Sequence, residues 1–108
     1  MYTVSLLFRS FHDGAIVPEL WEESLILVRA ISPEEAINKA IKIGIARETT
    51  YVAINGSKVI WNFFKVNDVY QIIDDFSADF VDGVEIYSRF FRNWQIESLL
   101  APFDDFPS

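Results

Sequence analysis

I-S-P-E-E-A-I-N-K-A-I-K-I-G-I-A-R, residues 31–47, is the stretch that decides the fold. Ser32 can cap the free amides of a helix, and Pro33 suits the first helical position because its missing amide would be unpaired there anyway. Glu35 stands three residues after Ser32, the spacing at which a capping box returns a hydrogen bond to the serine amide. Ile37, Ala40, Ile41 and Gly44 recur at helical spacing, while Glu34, Lys39 and Lys42 can face water. The pattern predicts one helix from Ser32 to about Arg47. Gly44 beside Ala40 would let it approach a sheet closely.

Working outward, both flanks read as strands. Tyr2, Val4, Leu6 and Phe8 alternate with Thr3, Ser5, Leu7 and Arg9, the period of a half-buried strand, until His12-Asp13-Gly14 and Pro18 break it. Trp21 to Ile31 is a second strand, and its L-I-L-V centre is apolar on both faces, which places it toward the sheet centre. After the helix, Tyr51-Val52-Ala53-Ile54, Asn55-Gly56 and Lys58-Val59-Ile60-Trp61 predict a hairpin with a type I′ turn. The second arm continues to Ile73, long enough to require a bulge or bend near Lys65 to Asp68. An acidic loop follows. Asp82-Gly83 then introduces V-E-I-Y-S-R-F-F, with Glu85, Tyr87, Arg89 and Phe91 on one face and Val84, Ile86, Ser88 and Phe90 on the other. The expected fold is α+β, order ββαβββ, a mainly antiparallel sheet with one helix packed on one face.

The chain has 108 residues, the size of one domain, and should bury about 65% of its unfolded surface. Half of it is hydrophobic (51%), with ten Phe, four Tyr and three Trp against four Gly and four Pro, a composition for packing and not for disorder. We read residues 1–92 as the α+β domain and 93–108 as an apolar tail. Within the tail, Ile96, Leu99, Leu100 and Phe103 follow helical spacing after Asn93, and Pro102 should end a short C-terminal helix near Leu100. Trp94, Leu99, Leu100 and Phe103 are the candidate interface, docking on the domain or on a second subunit.

Charge and cysteine content narrow the partners. The net charge is −7, and residues 67–85 hold Asp68, Asp74, Asp75, Asp79, Asp82 and Glu85 without a Lys or Arg, so neither nucleic acid nor an anionic membrane is expected as a partner. No cysteine is present, which removes disulfides and thiolate sites and fits the cytoplasm. The N-terminus lacks the charge and cleavage pattern of a signal peptide, and no apolar run approaches the ~20 residues of a membrane span.

W-E-E-S at 21–24, the S-P-E-E-A helix start, V-N-D-V-Y at 66–70 and V-E-I-Y-S-R-F-F at 84–91 together resemble an uncharacterised, mostly bacterial family of one-domain proteins described as a domain of unknown function. The resemblance covers about residues 1–92. It implies the extent of the domain and no catalytic residue.

Metal and cofactor chemistry find little support in the residues. Asp74, Asp75, Asp79 and Asp82 lack the spacing of a calcium loop, and His12 is the only imidazole, so no metal site is assigned. The four glycines are isolated and form no phosphate-binding loop, and no cofactor is expected. Ser10, His12 and Asp13 are sequence neighbours in a turn, better suited to local capping than to a triad. Glu22 and Glu23 point to opposite sheet faces. Glu23 and Arg29 on the second strand and Tyr87 and Arg89 on the last form the candidate binding face, on the side of the sheet away from the helix. The alternative reading of that face is cross-strand ion pairing on a wet surface.

Trp61, Phe63, Phe64, Tyr70, Tyr87, Phe90, Phe91 and Trp94 are more aromatics than one helix can cover. The leading functional reading is therefore a non-enzymatic interaction or regulatory domain whose partner is a protein, with a second copy of the chain (a homodimer) favoured. Two alternatives stay open. One is an immunity protein masking a basic partner with its acidic loop; the other is a small-ligand binder or enzyme using the candidate face.

Overall fold

Ser32 takes extended backbone angles (φ −151°, ψ 159°) and its Oγ accepts from the Glu35 amide at 3.1 Å, so helix α1 begins where the capping signal places it. The Glu35 carboxylate does not complete the box but lies toward Lys39 Nζ, 3.6 Å away and one turn on. In the computed structural model, which describes residues 1–15, 18–72 and 82–92, α1 spans Pro33–Ala46 with Arg47 as its C-cap. The strands are β1 (Tyr2–His12), β2 (Leu20–Val28), β3 (Thr49–Val52), β4 (Lys58–Gln71) and β5 (Glu85–Arg92), giving the order ββαβββ of an α+β fold. They form one sheet in the order β3-β4-β1-β2-β5, with every neighbouring pair antiparallel. No helix among the described residues is long and apolar enough to cross a membrane.

The central strand of the sheet is β1, and β2 lies beside it in the interior, paired on both edges. Leu6 and Leu7 are consecutive, point to opposite faces and are both fully buried, as only a strand covered on both sides permits. On the helix side Tyr2, Val4, Leu6 and Phe8 join Ile26, Val28 and Val66 beneath Ala36 and Ala40 of α1. On the far side Leu7, Trp21 and Phe91 form a smaller cluster with Phe64, whose ring meets Trp21 edge-on at 5.1 Å. Helix and sheet touch through small residues, Ala36, Ala40 and Gly44, spaced one turn apart, so backbone rather than long side chains sets their separation.

Bulges govern which side chain faces where. Against β1, the register of β4 shifts twice, leaving Phe64 and Asn67 as extra residues, so Trp61, Phe63, Val66 and Val69 all reach the helix side despite their uneven spacing. The expected irregularity at Lys65 to Asp68 is the second of these shifts. A third separates Leu25↔Tyr87 from Ile26↔Glu85, leaving Ile86 unmatched. This bulge turns Glu85 to the helix side, where it accepts from Ser24 Oγ at 2.5 Å, and so removes it from the face of Tyr87, Arg89 and Phe91 on which simple alternation placed it.

The Asn55-Gly56 hairpin forms, but its turn is not type I′. Gly56 has φ +88° whereas Asn55 does not enter the positive range, and Gly56 N donates to Ala53 O at 2.9 Å. With Ala53 N bonded to Ser57 O (2.8 Å), Ile54, Asn55 and Gly56 make a three-residue loop in which a type I turn is followed by a left-handed glycine. Asn55 Oδ1 closes it by accepting from Ser57 N at 2.9 Å.

Candidate functional site

The far face of the sheet brings some of the sequence-selected residues together. Glu23 and Arg89 are directly opposed on β2 and β5, and Arg89 Nε donates to Glu23 Oε1 at 2.7 Å. Ser5 of β1 donates to the other oxygen, Oε2, at 2.7 Å, so the Glu23 carboxylate is buried and bonded at both ends. Tyr87 lies beside them, opposite Leu25, and is exposed. Arg29 stands apart: β2 ends at Val28, and the Arg29 guanidinium lies 3.9 Å from Asp82, which also approaches Lys39 of α1 at 3.5 Å. Arg29 therefore belongs to a junction of helix, strand end and turn, not to the Glu23 group. Nearby, the Tyr70 phenol is pushed above its ordinary range, first by hydrogen bonding to Asp68 and then by that carboxylate's charge, with burial and the charge of Glu23 adding to it. The Glu23, Arg89 and Ser5 side chains of this face form an interlocked polar lattice. The candidate interface residues Trp94, Leu99, Leu100 and Phe103 lie outside the described residues.

A concave site occupies the helix side instead, and its cause is a mismatch of lengths. Helix and β4 have 14 residues each. At ~1.5 Å per helical residue and ~3.3 Å per strand residue, α1 covers about 21 Å of a sheet whose longest strand reaches about 46 Å. Beyond the C-terminal end of α1 no described element covers the helix-side face. There Phe8, Leu20, Glu22 and Ser24 line a cleft of about 590 Å³ bounded by Arg47, Thr49, Tyr51, Trp61, Glu85 and Phe90. Sheet twist brings its walls together. Trp61 of β4 and Phe90 of β5, separated in the sheet by β1 and β2, approach edge-to-face with centroids 6.1 Å apart.

The polar groups of the cleft are held in place from behind. Ser24, 1% exposed, donates to Glu85 and accepts from Arg47 Nη1 at 3.3 Å, while Arg47 Nη2 donates to the carbonyl of Gly83. The helix C-cap, β2 and the turn before β5 are thus joined through one guanidinium. Glu22 Oε2 accepts from Ser88 Oγ at 2.8 Å. Ser24, buried and bonded on both sides, links Glu85 to Arg47 as a strut. Among the described residues no group of three or more His, Asp or Glu side chains is arranged to hold a metal ion. His12, the lone imidazole, pairs with Glu19 at 2.8 Å and does not line the cleft.

Sequence reasoning counted Trp61 and Phe90 among the surplus aromatics but did not single out Glu22, Arg47, Tyr51 or Glu85. Glu22 carries a usable signal, since an acid in β2 opposite in facing to Glu23 must lie on the helix side, where a charge needs an opening. Glu85 carries none, because a bulge sets its direction.

No curated protein and no solved structure matches the chain. The family model of the domain of unknown function DUF4288 matches residues 1–88, which contain α1, four of the five strands whole and the first half of β5. Nine of the ten cleft residues fall within that match, Phe90 lying just beyond it. Matched over most of its length, the chain belongs to the DUF4288 family.

Proposed function

We propose that this domain acts by binding, with a small ligand or a single side chain of a larger partner seated in the helix-side cleft. One observation carries the reading: a cleft of about 590 Å³ combines aromatic walls (Tyr51, Trp61, Phe90) with a few polar groups fixed by internal hydrogen bonds. Binding sites are built this way, mostly apolar with a small number of convergent polar groups. Catalysis is the weaker reading, because the cleft's buried serine and its guanidinium are both occupied with structural bonds. The test is a fragment screen by ¹H–¹⁵N NMR. Hits should shift the Trp61 indole resonance and the amides of Tyr51 and Phe90, and Trp61→Ala should abolish them. Hits that cluster elsewhere, or none at all, would reject the site.

A protein partner is the second reading, and β5 favours it. Among the described residues this eight-residue strand is paired along one edge only and exposes Ile86, Tyr87 and Phe90. Unpaired edges are templates for further strands. The partner we infer is a second copy of the chain, joined edge to edge. Light scattering should then give twice the chain mass, reverting to the monomer in Ile86→Lys; a wild-type monomer at every concentration would dismiss it.

A further inference from the structure

The geometry points to an organic ammonium, a cationic nitrogen on an apolar or aryl body, as the class of ligand that the cleft takes. This inference rests on the binding reading above and adds the sign of the charge. Three independent features of the lining agree on that sign. First, Glu22 and Glu85 are each anchored through one oxygen by a neutral serine hydroxyl, Ser88 and Ser24 respectively, and neither belongs to an ion pair among the described residues. Such an anchor fixes a carboxylate's direction without neutralising it, and the second oxygen is left to accept from a ligand. The one cation in the lining among the described residues, Arg47, is turned toward Ser24 and the Gly83 carbonyl.

Second, α1 ends at the cleft, and its last turn contains no basic residue. The carbonyl end of a helix carries the equivalent of roughly half a negative charge, so it adds to the carboxylates and is met by Arg47 alone. Third, the lining includes the aromatic rings of Tyr51, Trp61 and Phe90, a ring type whose faces attract cations and repel anions. An anionic ligand would meet two carboxylates and a helix C-terminus, with the Arg47 guanidinium already turned to Ser24 and the Gly83 carbonyl. A neutral apolar ligand would desolvate both carboxylates while leaving each with a single neutral hydroxyl as partner, which is costly. The net charge of −7 adds long-range attraction for a cation.

The experiment uses the whole chain and three probes of equal size: phenethylamine, phenethyl alcohol and phenylacetate, titrated at neutral pH while the Trp61 indole resonance is followed by NMR. Phenethylammonium should bind at least about ten-fold more tightly than the alcohol, with phenylacetate weakest, as expected when a charge-assisted hydrogen bond separates them. Glu22→Gln and Glu85→Gln keep an acceptor for Ser88 and Ser24. Each should weaken the amine roughly five- to ten-fold and leave the alcohol unchanged, the size of one charged contact. If one variant fails to fold by circular dichroism, the other decides, and so does salt, which should weaken the amine alone. Including Nα-acetyl-lysine amide separates two sources of the same chemistry: tighter binding of this probe points to a peptide lysine, tighter binding of phenethylamine to a free amine. Equal binding of amine and alcohol would overturn the ammonium class while leaving the cleft as a binding site. Failure of all three, together with an empty fragment screen, would overturn both.

Discussion

The ring of Phe63 occupies the space that a side chain at Gly44 would need: a Cβ built on Gly44 falls among the Phe63 ring carbons, well inside contact distance. Helix and sheet are in backbone-close contact at this point. Alanine would improve helix propensity by about 1 kcal/mol, but overpacking a tight core costs about 1–3 kcal/mol, and the backbone on one side and a ring wedged against Phe8 on the other leave little room to relax. Gly44→Ala should therefore lower stability by a net of up to about 2 kcal/mol, seen as a lower urea midpoint. Combining it with Phe63→Leu should cost less than the sum of the two single changes. A raised midpoint for Gly44→Ala would show that the contact is slack.

The hairpin turn tests backbone strain without any packing contribution. Gly56 sits at φ +88° with nothing within 4 Å of a notional Cβ. Gly56→Ala should destabilise by about 1–2 kcal/mol, the cost of holding an L-residue in the left-handed region, and Gly56→Asn by less. Thermal melts of the two variants give the comparison, and equal melting temperatures for alanine and glycine would refute it.

Glu23 and Arg89 form the central pair of the far face. With Arg89 removed, Glu23 would stay buried with only the Ser5 hydroxyl for company. The Arg89 side chain is half exposed, which reduces the loss to about 1 kcal/mol at low salt. A double-mutant cycle with Glu23→Gln should show coupling that shrinks as salt rises. Zero coupling energy would reduce the pair to a surface contact.

Tyr70 makes the fold sensitive to alkali. Its phenol is raised above the ordinary value by Asp68, so the folded state holds this proton more tightly than the unfolded chain does. The sign follows from linkage: the stabilisation is complete below the ordinary tyrosine range, near pH 10, and is lost as pH climbs through the higher folded value. Ultraviolet titration at the tyrosinate band, wild type minus Tyr70→Phe, should isolate a late-ionising component. Asp68→Asn should bring that component back toward the usual range; if it stays put, Asp68 is not the cause.

Local chemistry was legible in the sequence wherever one residue acts on its neighbours. The Ser32-Pro33 start of α1, the alternation of β1, the glycine of the β3–β4 turn and the need for an irregularity in β4 all rest on effects spanning a few residues. What failed did so at longer range. The type I′ expectation assumed that Asn55 and Gly56 were both central turn residues, but Val52 pairs with Lys58 and Tyr51 with Val59, a register with an odd loop. Because a slip of one residue exchanges sheet faces, this register puts Tyr51 rather than Val52 into the cleft.

The candidate site shows the same division. Opposition of Glu23 to Arg89 needed only two strands with ordinary alternation, whereas exclusion of Arg29 needed β2 to stop at Val28 and bind Asp82 from across the fold. The cleft was not legible at all. Its existence depends on where α1 ends over the sheet, and its second carboxylate depends on a bulge at Ile86 that no local preference specifies.

By itself, then, the sequence determined the kind and order of the six elements among the described residues, because capping, periodicity and glycine conformation are settled within a turn or two of chain. Only the tertiary structure decided the strand order β3-β4-β1-β2-β5, the register shifts at Phe64 and Ile86 and the end of the helix-side face that no described element covers. Those depend on which distant surfaces bury each other, and it is they that bring Glu22, Glu85, Tyr51, Trp61 and Phe90 from four strands to one cleft.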